Sequence, residues 1–177
     1  MSRLAAVVVA GAALAVGAAG AQPSVSPLVI PGGPPPKVVA SYPANGGQAP
    51  GGVIVLKITF DQPMTADAWS YARADGGDFP QCLERPRLLA DKKTFVLLCT
   101  VQQGAAYALS VNLAPRFASA NGRSAEPYVL KFSTNSATEV RDMHTALTQA
   151  GLTDADEPVM SWKDDGKGVS ETPAAAP

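Results

Sequence analysis

The chain has 177 residues, with 14 Lys and Arg, 15 Asp and Glu, one His and a formal net charge of −1 at pH 7. That length suits one ordinary domain with appendages. A near-neutral charge and only 6% aromatic residues exclude an electrostatically driven nucleic-acid surface or a base-stacking platform.

Residues 1–21 read as an export signal: Arg3, an apolar run from Leu4 to Ala18, then Ala19-Gly20-Ala21 before Gln22-Pro23. A charged start, an apolar stretch and small residues at −3 and −1 make a cleavable leader. Cleavage near Ala21 places the mature chain in the periplasm or outside the cell, with no membrane-spanning segment left. The 22–36 segment carries Pro27, Pro31, Pro34, Pro35 and Pro36 with Gly32 and Gly33. Prolines hold φ near −65° and lack amide donors, so this reads as an extended linker.

Residues 37–134 carry the β pattern. Val38 to Tyr42 is a short strand that stops at Pro43-Ala44-Asn45-Gly46-Gly47. Val53 to Phe60 alternates, with Ile54, Leu56, Ile58 and Phe60 on one face and Val53, Val55, Lys57 and Thr59 on the other. One fully apolar face implies a sheet resting on a core. Trp69 to Ala74 alternates again before the turn Asp75-Gly76-Gly77-Asp78. Gln81 to Leu89 and Thr94 to Thr100 flank Ala90-Asp91-Lys92-Lys93 as a hairpin, and Pro86 pushes its first arm to a sheet edge or a bulge. Ala106 to Leu113 sets Tyr107, Leu109, Val111 and Leu113 on one face, and Tyr128, Leu130 and Phe132 mark a last strand ending at Thr134. Short, regularly spaced strands predict an all-β, immunoglobulin-like antiparallel sandwich of about seven strands.

Ser136-Ala137-Thr138-Glu139 has the spacing of a capping box, and Val140, Met143, His144 and Leu147 recur at helical intervals before Gly151. A helix from Ala137 to Ala150, inside a 135–152 segment, is the expectation. An isolated helix of this length is marginal in water. Its apolar stripe needs the sandwich, a second copy or another protein. Residues 153–177 read as an acidic, disordered tail ending Thr-Pro-Ala-Ala-Ala-Pro. Lys37 to Thr134 holds ten Lys and Arg against seven Asp and Glu, whereas Asn135 to Pro177 holds three against eight. An acidic tail on a mildly basic body can fold back on it, or simply stay soluble through its own charge.

Candidate chemistry is sparse. Cys82 and Cys99 fall nearly opposite one another when counted outward from the Asp91-Lys92 turn, and in an oxidising compartment they should form a disulfide. Closing that loop contributes on the order of 3 kcal/mol in the chain-entropy model. His144 is the sole histidine, and no Gly-x-Ser-x-Gly accompanies it. Asp154, Asp156 and Glu157 lack the Gly and the later Glu of a calcium loop, and Asp164-Asp165-Gly166 is no better. These read as solvated acidic turns. Trp69 and Tyr71 share a strand face, as core or as a carbohydrate platform, and Met64 reads as a packing residue. No catalytic residue, cofactor or metal ligand is expected.

Several of these segments resemble the bacterial Ig-like domain of the SbsA (S-layer) type. Ala40-Ser41-Tyr42-Pro43-Ala44-Asn45-Gly46-Gly47 is similar to the family's Ser-x-Pro-Ala-Asp/Asn-Gly opening. Leu56-Lys57-Ile58-Thr59-Phe60-Asp61-Gln62-Pro63-Met64 is similar to its Thr-Phe-Ser-x-Pro-Met signature. Ala90 to Leu97 resembles its hairpin, and Gly104 to Val111 its Gly-x-x-Tyr-x-Leu-x-Val strand. The resemblance covers Lys37 to Thr134 and implies a seven-stranded spacer or adhesion module of the bacterial envelope, without catalytic residues. The chain departs from the family in its single copy and in Cys82 and Cys99.

The expected function is therefore an exported, non-enzymatic structural or protein-interaction module, with an envelope or secreted protein as partner and the C-terminal helix as a possible docking element. The alternative is a periplasmic copper-binding carrier. Small copper-resistance sandwich proteins also run Pro-Ala-Asp-Gly into a Phe-Ser-x-Pro strand, similar to Pro43 to Met64. Their ligands include an N-terminal His with further His or Met, where this chain has Gln22 and His144 alone.

Overall fold

The computed structural model describes residues 32–83, 85–114 and 116–160. The expected leader, most of the Pro-rich linker and the tail beyond residue 160, with Asp164-Asp165-Gly166, lie outside the described residues. Among the described residues there are eight strands: β1 (Val38–Tyr42), β2 (Gly47–Phe60), β3 (Tyr71–Arg73), β4 (Gln81–Cys82), β5 (Arg87–Leu88), β6 (Thr94–Val101), β7 (Ala106–Val111) and β8 (Tyr128–Val140). One helix, α1 (Met143–Gln149), and a 3-10 turn (Asp154–Asp156) follow.

Strand pairing builds two layers. β1, β2 and β6, with β4 and β5 along the β6 edge, form one layer; β3, β7 and β8 form the other. Taken in chain order as A, B, C, D (in two pieces), E, F and G, these are the ABED and CFG layers of a constant-type immunoglobulin sandwich. Tyr107, near the start of β7, fits the same plan: its hydroxyl accepts the amide of Gln102 at 2.7 Å, the tyrosine-corner arrangement. The sheet is mixed rather than wholly antiparallel. β2 runs parallel to β8, pairing Gly47 with Phe132 and Gly52 with Val140, and this seam joins the two layers along one side.

The alternation along β2 is explained on both faces. Ile54, Leu56, Ile58 and Phe60 point into the main core with Phe95, Leu97, Leu109, Val111, Leu130 and Phe132. The opposite face is covered at Val55: this residue packs with Val96, Leu89, Val140, Ala146, Leu147 and Ala150 in a second cluster beneath and on α1. β6 is accordingly apolar on both sides from Phe95 to Leu97, as a strand buried on two faces must be. Lys57, on that outer face, donates from Nζ to the carbonyl of Ala150 at the helix C-terminus, where a cation is favoured.

The helix is shorter than its sequence suggests. Residues 137–140, read above as its first turn, instead end β8. Asn135 to Thr138 bulge outward, with the Thr138 amide donating to Asn135 Oδ1 at 2.9 Å, and Glu139 and Val140 then rejoin β2 beside Gly51 and Gly52. Strand pairing and the burial of Val140 override the local capping-box pattern. The true N-cap is Asp142, whose carboxylate accepts the Thr145 amide and hydroxyl, each at 2.8 Å. The other end is as expected: Gly151 adopts φ 65°, its amide donates to Thr148 O, and Leu152 N donates to Leu147 O, a Schellman motif.

Pro86 does interrupt its arm. Leu88 and Arg87 pair with Phe95 and Val96, but Cys82 pairs with Cys99, so two extra residues bulge out between β5 and β4. That bulge accounts for the small offset met when the cysteines are counted from the turn. The turn itself is held by Asp91, whose carboxylate accepts the Lys93 amide, the Thr94 amide and the Thr94 hydroxyl. Partial desolvation opposes the charge on Asp91, but these hydrogen bonds outweigh it and set the carboxyl below its usual range.

Gly52 is a position that only glycine satisfies. Its φ is 89°, and a Cβ there would collide with the Val140 carbonyl oxygen at the parallel seam.

Candidate functional site

On the side away from the β2–β8 seam, β3 and β4 end their layers without pairing to each other. The opening is filled from the β3 side by Trp69, Tyr71 and Phe79, and from the other by Cys82, Leu83 and Leu97. These six residues line a cleft of about 410 Å³. Its floor is core: Leu97 is buried, and Tyr71 meets Phe117 edge-on at 5.2 Å. Burial pushes the Tyr71 phenol far above its usual range, so the hydroxyl stays neutral.

Cys82 and Cys99 are joined in a disulfide at a directly opposed pair of β4 and β6. Leu83 N donates to Leu98 O in the neighbouring pair, so the cysteines occupy a non-hydrogen-bonded position, where opposed side chains come closest. The half-buried Cys82 lines the cleft, whereas Cys99 belongs to the main core.

A second, shallower surface lies on the outside of β3-β7-β8. Arg73, Asp75, Ser110, Leu113, Val129 and Lys131 border it. Leu113 and Val129 are 64% and 42% exposed there.

The remaining candidates are dispersed. Trp69 precedes β3 rather than lying in it, and together with Tyr71 it faces the cleft instead of forming an exposed stripe. Met64 is 4% exposed and packs in the main core. His144 stands on the solvent side of α1, its Nδ1 2.9 Å from Asp154 Oδ1. Asp156 accepts the amide and hydroxyl of Thr153, closing the 3-10 turn. Arg87 draws this segment onto the body, donating to the carbonyls of Glu157 at 2.6 Å and Ala155 at 3.1 Å. The segment up to residue 160 thus folds back, but the bond goes to backbone carbonyls and not to the acidic side chains. Among the described residues no three His, Cys, Asp or Glu side chains gather as a metal-ligating group. Nor is any described helix long and apolar enough to cross a membrane.

The hydrogen bond and the charge of Asp154 both raise the His144 pKa above its ordinary 6.5, against slight desolvation. A raised folded value means the contact stabilises the turn below about pH 6.5 and fades as pH rises through that raised value. An NMR titration of His144 should give a pKa above 6.5, and Asp154→Asn should bring it back toward that figure. An unshifted wild-type value would contradict the pairing.

Sequence reading missed Phe79 and Leu83, because neither belongs to a regular alternation. It also missed Asn112, buried at φ 66°, whose Oδ1 accepts the Arg116 and Phe117 amides at 2.7 and 2.8 Å while Nδ2 donates to Ala125 O at 2.6 Å. That network fixes the loop that carries Phe117 into the core. An Asn placed just after an alternating strand was the available signal.

No protein-family model matches the chain, and no curated protein sequence matches it. Among solved structures it is similar to CopC from Methylosinus trichosporium OB3b, at 14% identity and a TM-score of 0.44, over 61% of this chain and 98% of that one. It is also similar to domains 1–6 of the surface layer protein SbsC, at 17% identity and a TM-score of 0.41, over 57% of this chain and 14% of that one. Neither likeness is close enough to say what this chain binds, and the fold rests on the strand pairing above.

Proposed function

We propose that this chain is an exported, non-enzymatic Ig-like module that works in the bacterial envelope by protein contact, as a structural or adhesion element of the SbsA-like kind. One observation carries the reading: the β3-β7-β8 face presents exposed Leu113 and Val129 beside Arg73, Asp75 and Lys131. An apolar centre with a charged rim is the anatomy of a protein-recognition surface. The α1 stripe is less suited to that role, since Ala146, Leu147 and Ala150 are buried against the sandwich.

Photo-crosslinking in intact cells tests this. A photoreactive residue at Leu113 should trap an envelope or secreted protein, whereas one at Thr148, on the exposed side of α1, should trap none. Equal yields from both positions, or recovery of the chain from the cytoplasm with free thiols, would contradict it.

The copper-carrier alternative requires donors brought together. Met64 lies inside the core on one face of the β2–β6 layer, and His144 lies on the helix covering the other face. Calorimetric titration with Cu(I) and Cu(II) should therefore show no binding tighter than micromolar. A stoichiometric site of higher affinity would reverse the preference.

A further inference from the structure

The cleft between β3 and β4 opens to solvent and, at about 410 Å³, falls in the range of small-molecule sites. Its described lining carries no charged side chain: three aromatic rings, two leucines and a disulfide sulfur surround it, with the Trp69 indole N–H and the Tyr71 hydroxyl as neutral donors. An ion would lose its hydration there without a counter-charge. A sugar would find too few hydrogen-bonding side chains around its ring.

Strand addition by an extended peptide fits poorly too. The flanking edges are three residues (β3) and two residues (β4) long. Pro80 and Pro86, which have no amide to donate, flank β4. Near the cleft in sequence, Asp67, two residues before Trp69, lies 3.9 Å from Arg85, two residues after Leu83. A concave, mostly apolar lining with a few neutral polar groups suits a compact apolar molecule.

We infer that the Trp69–Tyr71–Phe79–Leu83–Leu97 cleft beside the Cys82–Cys99 disulfide is a binding site for a compact, uncharged, apolar aromatic molecule. This inference is independent of the protein-contact face on β3-β7-β8, and either can fail without the other.

The test uses the full chain and neutral N-phenyl-1-naphthylamine, read by its own emission and by quenching of Trp69 in a Trp162→Phe background, since the chain has 2 Trp. Saturable binding of one probe per chain is expected, with Trp69 quenched in parallel. Leu83→Phe, which fills the cleft, and Leu83→Asp, which charges its wall, should each weaken binding about tenfold or more, a loss of about 1.4 kcal/mol or more. The anionic analogue 1-anilinonaphthalene-8-sulfonate should bind the parent at least about tenfold more weakly than the neutral probe. Melting curves establish that each variant is folded. Non-saturable binding, no quenching of Trp69, a folded Leu83 variant that titrates like the parent, or equal affinity for both probes would overturn the inference.

Discussion

Phe117→Ala should unfold most of the margin that keeps this domain together. Phe117 is fully buried, and its ring packs against Phe60 at 5.4 Å, Tyr71 at 5.2 Å and Phe95 at 5.1 Å. Those three residues come from β2, β3 and β6, so one loop side chain joins both layers. Truncating a buried Phe to Ala costs about 3–5 kcal/mol in transfer and cavity terms. A domain of this size has a total stability of about 5–15 kcal/mol. Urea denaturation should show the midpoint falling sharply with little change in slope. A midpoint within error of the parent would mean that Phe117 does not sit between the layers. Asn112→Ala should move the midpoint the same way by a smaller amount, because it releases the loop amides that aim Phe117.

The second large effect is expected at Leu147→Asp. Leu147 is buried with Val55, Val96 and Leu89, on the inner face of a helix of only seven residues. A helix that short has no stability of its own and exists because its apolar face is covered. Placing a carboxylate in that contact buries an unpaired charge, at a cost of at least about 3 kcal/mol. Thr148→Asp, on the exposed side of the same helix, should cost no more than about 1 kcal/mol, mostly from a negative charge near the helix C-terminus. If the two variants behave alike, α1 is not docked and its stripe is free for another protein. The expectation also predicts that deleting residues from Asn135 onward destabilises the sandwich itself, because the deletion removes α1 and the end of the parallel seam, where Glu139 and Val140 pair with Gly51 and Gly52.

The contrast between these sites shows what a sequence of this kind discloses. β2 and β6 were legible because Ile54, Leu56, Ile58 and Phe60 repeat at period two, and burial against one core is what that period means. Gly151 was legible because a helix end with positive φ favours glycine. The β8–α1 junction was not. Ser136 to Glu139 carries a good local capping pattern, but Val140 is worth more buried beside β2 than in a helix, and only the three-dimensional seam reveals that. The cover over Val55 was not legible either, because it comes from a segment some 90 residues later in the chain. Phe117 was invisible for a different reason: it is a lone apolar residue in a polar loop, without periodicity, placed by the side chain of Asn112. The cleft shares that property. Its walls come from Trp69, Phe79 and Leu83, which lie outside regular strands and meet only once the two layers have closed.

Methyl and aromatic nuclear Overhauser spectra of the folded chain test the architecture most directly. Phe117 ring protons should show contacts to the rings of Phe60, Tyr71 and Phe95, while Leu147 methyls show contacts to those of Val55 and Val96. Missing cross-layer contacts at Phe117, or Leu147 methyls at random-coil shifts with no neighbours, would contradict a two-layer body whose outer face is capped by its own C-terminal helix.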